Sequence, residues 1–425
     1  MGVLLALAAA AVVVASAQAA PIKKKYDAYV VAANPSSTSF KLTLVNDALS
    51  QQTLGSANFS APGLSIASIP LTTFTTTDGH HWSVCTGSGG VACGDGANNV
   101  VELRSASAGD ALLPGQSVSV TADANATGCT NALWVTAAKQ SNDFSGSNNL
   151  FTLAAHDLTP LGSFAIAPIE TVLTTGSHVP QILVNKVAPI SVTAKDTCGN
   201  VDTDYSGGSP YSGATFAAVS GLANATFSGP SWSNGVGSAS AKPVDVEVGD
   251  QFSLTDATTG ISATSSSTEG KTTFDVVETI CAAGDSCTWK DKNNPITATS
   301  TVPNDNGKAL GLGYRPFAAG ATCTPEGGNP KPPVGDSIYI DPWKYDSPYT
   351  IVLTYGKSIL PNAPASDFIV CKSPDNGQTW DATQIPPCPK TPVAPCAAAV
   401  KVSGGNLQVT LYLNPGDPHS GGFSP

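Results

Sequence analysis

The chain has 425 residues, of which 41% are hydrophobic and 12% charged, with a net charge of −11. The charged fraction is about half the usual ~25%, yet the apolar content is too high and the net charge too low for a disordered chain. An acidic balance with only two arginines, Arg104 and Arg315, excludes a nucleic-acid binder, which needs a basic footprint. Gly, Pro, Ser, Thr and Asn abound and extended Leu/Glu/Lys/Arg patterns are missing, so the composition is that of strands and turns and predicts an all-β fold.

Residues 1–20 read as a secretory signal peptide. Leu4 to Val14 form an apolar run of h-region length, and Ala17-Gln18-Ala19 fits a small-residue cleavage site. No Lys or Arg precedes the run, and no Cys stands near the cleavage point for lipid attachment. The run is shorter than the ~20 residues a spanning helix needs. No later segment is long and apolar enough, so the mature chain is expected to have no transmembrane segment. No Leu-Pro-x-Thr-Gly signal stands near the C-terminus, so attachment to a surface is expected to be non-covalent. The expected location is secreted or extracellular, including the cell wall. Roughly 405 residues remain, enough for three or four sandwich modules of ~100 residues.

A first β-sandwich module is expected over 21–160. Its strands are predicted at Tyr26–Ala33, Ser39–Asn46, Thr53–Ser60, Leu64–Thr76, Val100–Arg104, Ser117–Ala122 and Asn131–Ala137, separated by turn residues such as Asn34-Pro35, Pro62-Gly63 and Pro114-Gly115. Leu113 to Val120 resembles the L-x-P-G-x-S-x-x-V strand entry of secreted sandwich repeats, one residue shorter. Trp134 reads as core. His80-His81 lies close to Cys85, but adjacent strand residues point to opposite faces, which is poor geometry for a metal.

Leu158 to Pro168, apolar but broken by Pro160, Gly162 and Pro168, reads as a linker leading into a second module over 161–277. Ile190, Val192 and Ala194 alternate with polar residues, the period of a half-buried strand. Asp196 to Asn200 supply a turn, with Gly199-Asn200 suited to positive φ, and a second strand is predicted from Val201. The phrase from Ile190 to Gly207 resembles the V-T-A-x-D-x-x-G-N-x-x-x-x-Y-x-G hairpin of bacterial immunoglobulin-like repeats of the Big or invasin type. That resemblance implies an extracellular β-sandwich module. Further strands are predicted at Ala214–Val219, Val244–Val248, Gln251–Thr255 and Phe274–Val277. Asn200, Asp202 and Asp204 alternate, so one strand face would carry three oxygen ligands for calcium. Against that, Tyr205 stands where a calcium loop needs Gly and no bidentate Glu follows; solvated turn polarity is the other reading.

The third module, 278–425, is rich in Cys and Pro, with strands predicted at Asp336–Ile340, Tyr349–Thr354, Asp367–Cys371 and Leu407–Leu413. Ser373-Pro-Asp375-Asn-Gly377-Gln-Thr379-Trp380 matches the Asp-box S-x-D-x-G-x-[ST]-W and resembles the hairpin of sialidase (BNR-type) repeats. The motif is a hairpin lock. One copy and two arginines fall short of a propeller and of the three arginines that grip a sialic acid. Tyr339, Trp343 and Tyr345 form the densest aromatic cluster and the candidate sugar platform, with a core role as the alternative.

Ten cysteines in an exported chain read as disulfides. Close pairs are predicted at Cys85/Cys93, Cys281/Cys287 and Cys388/Cys396; Cys129, Cys198, Cys323 and Cys371 are left to pair over longer distances or stay free. No Cys-x-x-Cys supports zinc. The six glutamates lie singly, and no Gly-x-Ser-x-Gly, His-Glu-x-x-His or Walker loop is present. The expectation is tandem immunoglobulin-like modules forming a non-catalytic structural, binding or adhesive protein. Its expected partners are the cell envelope, a glycan or an extracellular protein, and no cofactor is expected beyond calcium at Asn200, Asp202 and Asp204. The alternative is a carbohydrate-binding or divergent glycan-active protein acting through the C-terminal module.

Overall fold

The structure, a computed structural model, describes residues 22–32, 39–61, 64–68, 75–76, 79–86, 99–126, 134–147, 149–302, 304, 307–315, 322–324, 328–329, 331, 333–373, 382–401 and 403–414. The expected signal segment, Cys93, Cys129 and the Asp-box beyond Ser373 lie outside these residues. The fold is all-β: strands in several sheets, with only short 3-10 turns of helix among the described residues. No helix among the described residues is long and apolar enough to cross a membrane. The chain divides into two compact units, the first ending at Leu158 and the second beginning at Thr159.

The first unit has two sheets. One runs in the order Thr152–Asp157, Lys25–Ala32, Ser39–Asn46, Ser117–Ala126, Leu64–Ser68, with Thr75–Thr76 also on Ser117–Ala126. The other runs Trp82–Thr86, Val100–Ser105, Ser56–Ser60, Val135–Lys139. Ser39–Asn46 buries every second residue, as its period of two dictates. Phe40 of the first sheet meets Trp134, beside the second, at 5.5 Å between rings. Asn46 is fully buried, and its Nδ2 donates to the carbonyls of Gln52 and Leu112 at 2.9 and 2.7 Å. Those two bonds satisfy both amide donors of a polar side chain at the end of a core strand. The Pro114-Gly115 turn forms as read, Gly115 at φ 87° donating to the Asn46 carbonyl.

The second unit begins with two sheets over residues 161–277. One is Leu161–Ile166, Ala188–Asp196, Val236–Lys242, Thr226–Ser233; the other is Gln181–Leu183, Phe274–Val277, Glu247–Asp256, Ala214–Ser220, with Ser262–Thr264 against Glu247–Asp256. Phe216, Phe227 and Phe252 lie within 5.5 Å of one another between these sheets, and Phe274 continues the row at 6.2 Å.

Two sequence expectations need correction here. The expected linker contains the strand Leu161–Ile166, antiparallel to Ala188–Asp196 with a register shift between Leu161 and Ser163. Gly162 is no breaker: a Cβ there would lie 2.5 Å from the Asp196 carbonyl oxygen, so the glycine permits the bulge. The return strand expected from Val201 is reduced to an isolated bridge between Lys195 and Val201. Asp196 accepts the N–H groups of Cys198 and Asn200 at 2.8 and 2.9 Å, closing an Asx turn. The chain then turns inward, and Tyr205 packs against Phe164, Tyr211 and Trp232. The true neighbour of Ala188–Asp196 is Val236–Lys242, delivered by the two-residue turn Asn234-Gly235 at φ 49° and 74°.

The rest of this unit holds a three-stranded sheet, Thr279–Ala282, Ala309–Arg315, Ser337–Trp343, a five-stranded one, Ser286–Lys290, Ile296–Thr301, Tyr349–Tyr355, Leu407–Leu413, Cys396–Lys401, and a smaller sheet, Cys323–Thr324, Ala382–Ile385, Val370–Lys372. Trp289, Leu310, Leu312, Ile338, Ile340, Ile351, Leu353, Val409 and Leu411 share one core between the first two. Cys281–Cys287 and Cys388–Cys396 are disulfides, with Cα separations of 5.5 and 4.8 Å. Cys323 and Cys371 pair with each other across 48 residues, and Cys198 is also disulfide-bonded. The Val370–Lys372 and Ala382–Ile385 strands pair antiparallel on either side of the Asp-box segment.

Candidate functional site

Ser337–Trp343 is buried at all seven positions. Its Ile338 and Ile340 face the C-terminal core, while Tyr339, Asp341 and Trp343 meet groups from residues 173–275. The neighbouring strand, Ala309–Arg315, makes this second contact possible. Leu310 and Leu312 point into the core, whereas Gly311 and Gly313, two residues apart, present bare backbone on the other side. A Cβ on Gly311 would lie 2.9 Å from Gln181 Nε2 and 3.0 Å from Val277 Cγ1; one on Gly313 would lie 2.8 Å from Val246 Cγ2. The glycines let the two halves of the unit approach to van der Waals distance.

A polar cluster fills the joint so formed. Gln181 lies opposite Asp275 in the parallel register of Gln181–Leu183 and Phe274–Val277. Gln181 Nε2 donates to the Asp341 carbonyl at 3.0 Å and to the Asp341 carboxyl. Asp275 accepts the Gly249 N–H at 2.7 Å and the Tyr339 hydroxyl at 3.2 Å, and hydrogen-bonds to Asp341. Burial, and then the neighbouring Asp275, push the Asp341 carboxyl well above the usual carboxylate range. Lys271 stands 4.0 Å above the Trp343 ring, a cation–π contact. Val179, Ala309 and Trp343 close the apolar side.

A cleft of about 510 Å³ opens at the edge of the same joint, lined by Glu170, Ser177, His178, Thr268, Glu269 and Lys344 among others. The Lys344–Glu269 ion pair bridges its two sides, and the His178 ring hydrogen-bonds to Glu170 on one of them. A second acidic pair, Asp336 with Asp291, lies at the end of the C-terminal core; Asn294 donates to Asp336. Burial, then Asp291, raises the Asp336 carboxyl.

The residues singled out in the sequence are distributed as follows. Asn200 is exposed and donates to Asp196 at 3.2 Å, whereas Asp202 is fully buried; the expected three-residue ladder is therefore not one strand face. Asp202 and Asp204 do come together, with carboxylate oxygens within 4.8 Å. Tyr339, Trp343 and Tyr345 are all buried, at 0%, 8% and 9% exposure, so none presents an open ring face for stacking on a sugar. Tyr345 packs on Tyr349 at 4.8 Å, and burial raises its hydroxyl above the usual phenol range. Gln181, Asp275, Glu170 and His178 carried no sequence signal, each being a lone polar residue. The alternating Gly311-Leu312-Gly313 was the readable sign of a closely approached strand.

No protein-family model matches the chain, and a comparison with curated proteins finds no match.

Proposed function

We propose that the chain is an exported, non-catalytic structural or binding protein built from immunoglobulin-like β-sandwich modules, acting outside the cell as a stiff, disulfide-stapled support. The observation that carries this reading is the joint: a strand buried on both faces, seated on two glycines, ties the sheets of residues 161–277 to those of 278–413. Such a joint holds successive modules in fixed order, which suits a spacer or display role. The disulfides suit an oxidising compartment. The parallel pairing of Gln181–Leu183 with Phe274–Val277 supports the immunoglobulin-like assignment, since the first sheet neighbour of the last strand comes from the start of the module. Fractionating the producing cells and screening the purified mature chain against cells, matrix proteins and glycans tests it. Retention outside the cell with binding and no turnover is the expected result; an intracellular chain, or one that turns over a substrate, overturns it.

The cleft beside Trp343 favours a second reading, glycan binding, because carboxylates, an imidazole, hydroxyls and an ammonium all face one polar space. Lys344→Ala and His178→Ala, which sit at the surface, should abolish glycan binding under that reading and leave adhesion to proteins untouched.

A further inference from the structure

We propose that Asp341 and Asp275 form a proton-sharing clasp across the joint, closed while the pair holds one proton and loosened when that proton leaves.

The geometry decides where the proton sits. Both oxygens of Asp275 already accept hydrogen bonds, from the Gly249 N–H and the Tyr339 hydroxyl. With both Asp275 oxygens engaged as acceptors, a proton on Asp341 supplies the hydrogen bond between the two carboxyls. Asp341 takes the Gln181 amide on Oδ2, which leaves its other oxygen to carry the proton and donate it to Asp275. Two carboxyl groups in hydrogen-bond contact cannot both ionise without strong mutual repulsion. Water does not relieve it, since Asp341 is 6% exposed.

The charged surroundings set a single cation against the shared proton. Lys271, held over Trp343, is the cation that faces Asp341, and it favours the ionised form. Tyr339 lies on the same strand and points to Asp275. Gln181 is neutral, and the strand pairing with Asp341 offers Gly311, which carries no charge. One lysine thus opposes burial and a carboxylate. Ionisation moves one proton from Asp341 to solvent base and breaks the Asp341–Asp275 hydrogen bond, leaving two anions in a site built for one. The cleft draws its walls from both sides of this joint, with Glu170, Ser177, His178, Thr268 and Glu269 on one side and Gly307 and Lys344 on the other, so loosening the clasp alters the cleft.

The test compares the full chain with Asp341→Asn, whose amide donates to Asp275 permanently. A carboxyl raised in the folded state binds its proton more tightly there. Its stabilisation is therefore full below the unfolded value near 4 and declines as pH rises toward the folded value. Between those limits the folding equilibrium of the wild-type second unit should weaken by about tenfold per pH unit relative to Asp341→Asn. Equal pH slopes for the two chains overturn the clasp. A carbon-13 titration of the aspartate carboxyls in the wild type keeps the test independent of how the variant folds. An Asp341 signal that stays protonated well above the ordinary aspartate range is expected, and one that titrates as an ordinary aspartate overturns the proposal.

Discussion

Gln181 Nε2 reaches Asp341, 160 positions away in sequence, and satisfies both its main-chain carbonyl and its carboxyl. That double contact exists only because Gly311 carries no side chain. Gly311→Val forces the Gln181 amide and Val277 aside and should destabilise the second unit by about 1–3 kcal/mol, the usual range for overpacking. Chemical denaturation followed by tryptophan fluorescence measures it. A variant as stable as the parent would mean that the two halves do not pack at this strand.

The disulfides differ in what they hold. Cys323–Cys371 closes a loop of 48 residues, worth about 4 kcal/mol in the chain-entropy model, against about 2–3 kcal/mol for the short loops of Cys281–Cys287 and Cys388–Cys396. Replacing Cys323 and Cys371 with serine should lower the melting temperature more than replacing either close pair. A peptide map of the unreduced chain should contain the 323–371, 281–287 and 388–396 bridges, and any exchange among these partners counts against the structure.

Asn234-Gly235 should be a sensitive turn. Gly235 lies at φ 74°, and a Cβ there would come 2.1 Å from the Asp202 carbonyl oxygen. Gly235→Ala should therefore cost more than the ~1 kcal/mol of an ordinary positive-φ glycine. Gly260→Ala is the control, with φ 71° but open space around it. Thermal unfolding of both variants separates backbone strain from collision with the Asp202 loop.

Asp336 gives a second pH signature. Burial and then Asp291 raise its carboxyl, so its proton stabilises the fold in acid and that stabilisation is lost as pH rises from the unfolded value near 4 through the folded one. Asp336→Asn should retain the Asn294 contact and flatten the stability profile in that window. A profile unchanged by the substitution would show that Asp336 titrates normally.

Where a strand lies half-buried and antiparallel, its alternation was legible. Ser39–Asn46 and Leu407–Leu413 form as the sequence predicts, and Trp134 is core. Strands escaped where burial departs from alternation. Thr152–Asp157 pairs parallel with Lys25–Ala32 at a sheet edge and is mostly exposed, so it carries no apolar period. Thr226–Ser233 holds Gly229-Pro230 at a register shift, which reads as a loop although the strand continues past it. The Asn234-Gly235 signal beside it was available in the sequence. The joint was the hardest part to read. Its polar members come from positions 181, 249, 275, 339 and 341, each unremarkable among local neighbours, and only tertiary packing brings them together. The aromatic cluster at Tyr339 to Tyr345 was visible, but exposure and burial give the same local pattern when both faces of a strand are covered.

Native-state hydrogen exchange on the intact chain, in rising denaturant, tests the joint most directly. Amides of Phe274–Val277 and of Ala309–Arg315 should exchange through one shared opening with the same denaturant dependence. Two separate openings, one for each side of the joint, would contradict a rigid connection and remove the basis for the proposed support role.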